Sequence, residues 1–317
     1  MSMVMLDTRP VIGFHSPSED EAAYKTRLER DLPGFQFELL EHVMEKQRVE
    51  YALVWSPPQG LLQTFKNLKA VFVLGAGVDA LLRDPELPQV PILRLKDAGM
   101  AQQMAHYVMY GILRFQRRFE VYESLQATQQ WEPLLNIEPI EQFTVGVMGL
   151  GAIGSIVAEQ VSRLGFPVLG WSTSPKKIKG IRTFHGDDEL GSFLSDARVV
   201  INLLPLTKAT EQFIDKKFLS RMCPDSLLIN IGRGSHLKED DLLEALEEKV
   251  IAGAMLDVFE REPLSQESQL WSHPNVLVTP HVAGITLPQV ALDQIIGNIR
   301  LLEAGGSPTV VDRSKGY

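Results

Sequence analysis

Three features of this chain combine residue types and positions that could do chemistry: a glycine cluster, an arginine and a histidine, each directly after a short apolar run. The glycines are Gly149, Gly151 and Gly154, spaced GxGxxG, with Leu150, Ala152 and Ile153 between them. The run 144–148 precedes them, and Ile153, Ile156, Val157, Val161 and Leu164 follow at helical spacing. This places the cluster in the turn between a strand and a helix. There Gly149 permits a tight turn, Gly151 lets the backbone approach a pyrophosphate, and Gly154 lets helix and strand pack closely. The free N–H groups at the start of the helix favour a bound anion. The pattern points to a dinucleotide.

The next apolar run ends in Trp171-Ser172-Thr173-Ser174-Pro175-Lys176-Lys177, with Ser172 eighteen residues beyond Gly154. An NAD site usually has an acidic residue near this point, accepting from the ribose hydroxyls. None is present. The hydroxyls of Ser172, Thr173 and Ser174, with the charge of Lys176 or Lys177, suit a 2′-phosphate instead, so NADPH is expected over NADH. A plain solvated turn is the competing reading.

Arg233 follows the run 227–231 at the carboxyl end of a predicted strand, where open α/β sheets bind ligands. Its planar guanidinium can grip a carboxylate or polarise a carbonyl. Of the seven histidines, at 15, 42, 106, 185, 236, 273 and 281, only His281 follows a strand and a proline, in Val-Leu-Val-Thr-Pro-His. An imidazole there can give a proton to a developing alkoxide and take it back in the reverse direction. Trp55, at the end of another run, could wall a small pocket. Taken singly, such an arginine is more often a surface ion-pair partner and such a histidine a structural one. A hydride-carrying cofactor beside both would make a carbonyl reductase.

These residues need elements to hold them. Apolar runs alternate with amphipathic helix-length segments, the signature of βα units and parallel sheets. One series has strands at 11–14, 36–40, 52–55 and 70–74, with helical segments at 19–30 and 61–67, and ends near Asp97. A second has six strands, at 144–148, 168–171, 199–203, 226–230, 252–256 and 276–279, enough for a complete dinucleotide-binding sheet. Between them 101–126 reads as one long helix, with Met104, Val108, Ile112 and Phe115 on one face. A further helix at 287–303 and a tail at 310–317 are expected to return to the first domain. The expected fold is α/β: a Rossmann-type doubly wound parallel sheet over residues 101–288, and a smaller flavodoxin-like α/β substrate domain, discontinuous in sequence, over 1–100 and 289–317.

The 317 residues are 44% hydrophobic and 22% charged, as in ordinary globular chains. An excess of 40 acidic over 31 basic residues leaves a net charge of −9, which argues against a nucleic-acid partner. The single cysteine, Cys223, excludes an intramolecular disulfide and a cysteine-rich metal cage. With no membrane-length apolar run and no leader-like start, a cytoplasmic protein without a metal is expected.

In its motifs the chain resembles the D-2-hydroxyacid dehydrogenase family. The match is carried by the glycine loop, Leu204-Pro205-Leu206-Thr207, Asn230-Ile231-Gly232-Arg233-Gly234, the segment from Leu256 through Asp257 to Glu262 and Pro263, and Thr279-Pro280-His281. Tyr51 to Trp55, Ala98-Gly99-Met100, Trp171 to Ser174 and the C-terminal Val311 to Tyr317 look closest to its glyoxylate/hydroxypyruvate reductase A group. The resemblance implies a catalytic set of Arg233, Glu262 and His281, with Glu262 supporting the imidazolium across nineteen residues of sequence. It also implies that the backbone at Ala76 and Gly77, with Trp55 and Arg233, binds the substrate, that Asp257 meets the nicotinamide amide, and that Leu204 and Pro205 pass beside the adenosine. The implied reaction reduces a small 2-keto acid, glyoxylate or hydroxypyruvate, and the implied assembly is a homodimer. Two departures stand out: Ala105 where many relatives are acidic, and Thr173 and Pro175 where the group tends to have arginines. The alternatives are an NAD-linked dehydrogenase of another 2-hydroxy acid and a dinucleotide-sensing corepressor or scaffold.

Overall fold

In the computed structural model, which describes residues 7–317, the first apolar run forms β1 (Val11–His15), buried along nearly its whole length. Residues 1–6, on which part of the no-leader reading rests, lie outside the described residues. Helix α1 (Glu21–Asp31) starts at Asp20, whose carboxylate accepts from the N–H groups of Ala22 and Ala23, and it buries Tyr24 and Leu28. Then come β2 (Gln36–Leu39), β3 (Val49–Val54), β4 (Ala70–Val73), the short α2 (Asp79–Leu82) and β5 (Ile92–Arg94). All pair in parallel in the order β2-β1-β3-β4-β5, the flavodoxin-like winding.

Two local expectations fail in this part. Strand β5 is not anticipated, because three residues are too few to show a period. The expected helix at 61–67 is a single 3₁₀ turn, Leu62–Thr64, since Phe65 turns extended and buries its ring rather than continuing the spiral.

The next segment is also shorter than expected. In place of one long helix there are α3 (Met100–Gln116) and α4 (Phe119–Ala127), separated where Arg118 takes a left-handed φ of 57°. Apolar spacing continues across the break and hides it. The second sheet is built from β6 (Val145–Met148), β7 (Val168–Ser172), β8 (Arg182–His185), β9 (Val199–Asn202), β10 (Leu227–Asn230), β11 (Gly253–Leu256) and β12 (Val276–Val278). Its helices are α5 (Ala152–Arg163), α6 (Gly186–Asp196), α7 (Lys216–Leu219) and α8 (Glu239–Glu247). The order is β12-β11-β10-β9-β6-β7-β8, so the sheet has seven strands rather than six. The unexpected β8 is an edge strand in which Phe184 alone is buried, which leaves little apolar signal. Val145, Val147, Ile201 and Ile229 pack on one face with α3 and α5. Met148, Val200, Leu228 and Ala254 pack on the other with α6 and α8.

Helix α9 (Pro288–Glu303), begun by a proline in its first turn, belongs with the first sheet. There Tyr51 Oη donates to Glu303, and the tail is tied by Val311 N–H to Ile92 O and by Arg313 to the carbonyls of Pro88 and Val90. The chain thus divides into two units, Met1–Ala98 with Thr286–Tyr317, and Gly99–Ile285. Among the described residues no helix is long and apolar enough to cross a membrane, and no group of metal-ligating side chains is assembled.

Strand register explains why distant motifs meet. Met148 lies opposite Trp171 and Asn202, Asn202 opposite Asn230, Asn230 opposite Leu256, and Leu256 opposite Val278. All these strands end together, so the loops at 149, 173, 203, 231, 257 and 279 leave one edge of one sheet.

Candidate active site

The glycine loop starts this edge. Gly149 takes φ +94° and donates its N–H to Trp171 O, and a Cβ there would stand 2.6 Å from Leu203 O. A Cβ at Gly154 would stand 1.9 Å from Gly149 O, so no side chain fits where helix and strand touch. Gly151 differs: a Cβ there would meet nothing within 4 Å. Its lack of a side chain answers to no protein neighbour, and it sits at the N-terminus of α5 where an anion is favoured. Leu150 is buried against Gly170, while Ala152 is exposed and Ile153 half-buried. These residues fit a dinucleotide.

At the end of β7, Ser172 is nearly buried and its hydroxyl donates to Ser174 O, so that hydrogen is already engaged within the turn. Thr173, Ser174, Lys176 and Lys177 are exposed, and Thr183 Oγ1 holds Lys176 O. Beyond β9, Leu204 is buried with its N–H on Asn202 Oδ1, and Pro205 is exposed with its carbonyl held by Thr210 Oγ1.

The turn that carries Arg233 is fixed by buried polar groups. Asn202 Nδ2 donates to Asn230 Oδ1 and lies 2.9 Å from His236 Nδ1, while Asn230 Nδ2 donates to Arg233 O. The Arg233 N–H also reaches His236 Nδ1. With two donors aimed at Nδ1, that nitrogen is the unprotonated one. Gly234 lies so close to the next loop that a Cβ would fall 1.8 Å from Phe259 C and O. The Arg233 turn and the loop leading to Glu262 therefore hold each other.

Glu262 Oε1 accepts from the Phe259 N–H, and its Oε2 lies 2.7 Å from His281 Nδ1. Burial of this carboxyl opposes its ionisation. The His281 hydrogen bond, the Phe259 N–H and the charges of His281 and Arg233 outweigh that and hold it below the usual glutamate range. His281 itself has φ 57°, rare for a residue with a side chain. It is kept there by its N–H on the carbonyls of Asp257 and Thr279.

Asp257 is buried, and it organises this loop. Its Oδ1 accepts from Thr279 Oγ1 and Val282 N–H, and its Oδ2 from Ala283 N–H. Thr279 gives its one hydrogen to Asp257, so Tyr107 Oη, 2.6 Å away on α3, donates to Thr279. Tyr107, Thr279, Asn202, Asn230 and His236 were not read as site residues from the sequence. Only Asn230 and Thr279 fall within the quoted motifs, beside Arg233 and His281.

In the other unit, Trp55 lies over Gly75, where a Cβ would stand 2.5 Å from its Cζ3. Ala76 and Gly77 follow, half-exposed, in the loop after β4.

The sequence profile described as D-isomer specific 2-hydroxyacid dehydrogenase, NAD binding domain, matches residues 109–283. The chain belongs to this family. It is 44% identical over 315 residues to glyoxylate/hydroxypyruvate reductase A of Serratia proteamaculans, covering 96% of this chain and 99% of that one. Among solved structures of the family, a D-isomer specific 2-hydroxyacid dehydrogenase from Xanthobacter autotrophicus Py2, in complex with NADPH and MES, is similar with a TM-score of 0.93. It has 38% identity, over 98% of this chain and 100% of that one. The NADPH-dependent glyoxylate/hydroxypyruvate reductase of Sinorhizobium meliloti, in complex with NADP and sulfate, is similar at a TM-score of 0.89. It has 34% identity, with the same coverage.

Proposed function

We propose that this protein is an NADPH-preferring reductase that converts small 2-keto acids, glyoxylate and hydroxypyruvate first among them, to 2-hydroxy acids. The observation that carries the reading is the His281–Glu262 pair, 2.7 Å apart, on the sheet edge that also bears the glycine loop and Arg233. The names of the relatives support the substrate class, and the solved relatives with NADPH or NADP support the cofactor.

The unit Gly99–Ile285 would hold the dinucleotide, with the backbone of residues 149–154 at its phosphates and Leu204 and Pro205 beside its adenosine. Thr173, Ser174 and Lys176 would take the 2′-phosphate, with Ser172 shaping that turn. When bound, the reduced dinucleotide supplies the hydride for the carbonyl carbon. Glu262 accepts from His281 Nδ1–H, which leaves Nε2–H as the proton donor to the carbonyl oxygen. As that proton leaves, the carboxylate keeps the ring oriented, and solvent restores the proton because His281 is exposed. Arg233 stabilises negative charge on the substrate. Asp257 keeps the His281 loop in place, whatever it also offers the nicotinamide amide.

The protein would work as a homodimer in the cytoplasm. Tyr110 and Leu113 on α3 and Phe119 on α4 line one shallow depression and are exposed, as are Trp131 and Leu135 in the segment after α4, apolar surface that a second copy would cover. Light scattering on the eluting protein should give twice the chain mass, and a monomer would refute the pairing.

Purified protein mixed with NADPH and a panel of 2-keto acids should lose reduced-nicotinamide absorbance fastest with glyoxylate or hydroxypyruvate. No turnover with any keto acid would overturn the enzyme reading and favour a dinucleotide-binding scaffold.

A further inference from the structure

Arg94 ends β5, the last strand of the first sheet. It is half-buried, and its Nη1 makes one long contact, 3.4 Å, with Ala76 O. It has no carboxylate partner among the described residues. Arg313, on the same unit, is a useful contrast, because its Nη2 is satisfied by the carbonyls of Pro88 and Val90 at 2.6 and 2.9 Å. Burial pushes the Arg94 guanidinium below the usual arginine range, as it does that of Arg313, so the difference between the two lies in their partners.

The loop beside it is equally underused. Leu95 N–H donates to Gly75 O and ties the end of β5 to the loop after β4. The N–H groups of Gly75, Ala76 and Gly77 meet no acceptor among the described residues. Trp55 over Gly75 closes one side. Unpartnered backbone donors next to a half-buried guanidinium form a place for a small planar anion.

We propose that Arg94 is a cation for the substrate carboxylate, added to the N–H groups of the 75–77 loop, where the family resemblance already places Ala76 and Gly77. This rests on the keto-acid reductase reading above. A group on the carboxylate holds ground state and transition state alike and appears in KM, whereas one on the carbonyl oxygen meets charge that develops only in the transition state and appears in kcat.

The test uses Arg94→Met, which keeps an apolar stem, and Arg94→Lys, which keeps the charge. Oxalate serves as an unreactive carboxylate probe in calorimetry of the NADPH-loaded protein. Arg94→Met should raise KM for glyoxylate and Kd for oxalate together, by about tenfold to a hundredfold, with kcat within about threefold and NADPH binding unchanged. Arg94→Lys should recover part of both losses. Unchanged KM and unchanged oxalate binding in Arg94→Met would overturn the assignment, and so would a loss confined to kcat. A wild type without keto-acid turnover would overturn the reductase reading instead. The oxalate comparison between wild type and variant would still decide the role of Arg94.

Discussion

Replacing Asp257 by Asn exchanges one carboxylate oxygen for an NH₂ group and separates two roles for this residue. The carboxylate is 1% exposed and accepts from Thr279 Oγ1 and Val282 N–H on one oxygen and from Ala283 N–H on the other, at 2.6, 2.8 and 2.8 Å. Asparagine can keep its oxygen on the first pair. Its NH₂ then faces the Ala283 N–H, donor against donor, and a buried N–H is left unsatisfied. Losing a hydrogen bond to a charged acceptor costs about 1.5–3 kcal/mol and stranding the donor about 1–3 kcal/mol more. No longer burying an anion returns part of this, leaving a net loss of about 2–3 kcal/mol. For a unit of this size that lowers Tm by about 4–12 °C, which scanning calorimetry resolves. His281 leads directly into the freed segment, so kcat should fall by on the order of tenfold to a hundredfold through misplacement of the proton donor. A contact to the nicotinamide amide alone would instead raise the KM for NADPH at unchanged Tm. A variant whose Tm stays within about 1 °C of wild type would refute the loop-organising role.

Arg233→Lys should lower kcat for glyoxylate while NADPH binding stays the same, because an ammonium cannot reproduce a planar guanidinium, and steady-state kinetics with unaltered kcat/KM would remove Arg233 from the site. In Glu262→Gln the carboxylate that orients the His281 ring is lost, so kcat for glyoxylate should fall by on the order of tenfold to a hundredfold with NADPH binding unchanged; an unaltered kcat would dissolve the pair. Because Glu262 is held below the usual glutamate range, its stabilising effect is full above about pH 4.3, the usual glutamate value, and is lost as pH falls through its folded value. Glu262→Gln should therefore melt with less acid dependence than wild type in that window. NADPH should exceed NADH in kcat/KM by about tenfold to a hundredfold, or about 1.4–2.7 kcal/mol, and Ser172→Asp should reverse the order by repelling the 2′-phosphate. That variant also gives up the Ser172 bond to Ser174 O, so equal use of both cofactors by wild type, unchanged by Asp, would remove the turn as a phosphate site.

The sequence by itself determined the alternation of strands and helices, the glycine loop, and the isolated candidates Arg233 and His281. These are local matters: apolar period, turn chemistry, and the residue that follows a strand. Where the local signal is thin it failed, at the three-residue β5, the half-polar edge strand β8, and the left-handed Arg118 that splits one apolar stripe into two helices. Tertiary structure alone decided the rest. Parallel register makes the strands of the second sheet end together, and this edge brings Glu262 within 2.7 Å of a histidine nineteen residues away. Near-contact of Gly234 with Phe259 locks two loops that no spacing relates, and Tyr107 meets Thr279 only because α3 packs beside this sheet. The donors and acceptors of a buried network are fixed by which backbones approach one another. A one-dimensional pattern records which side chains are available, whereas their partners depend on packing across strands far apart in the chain.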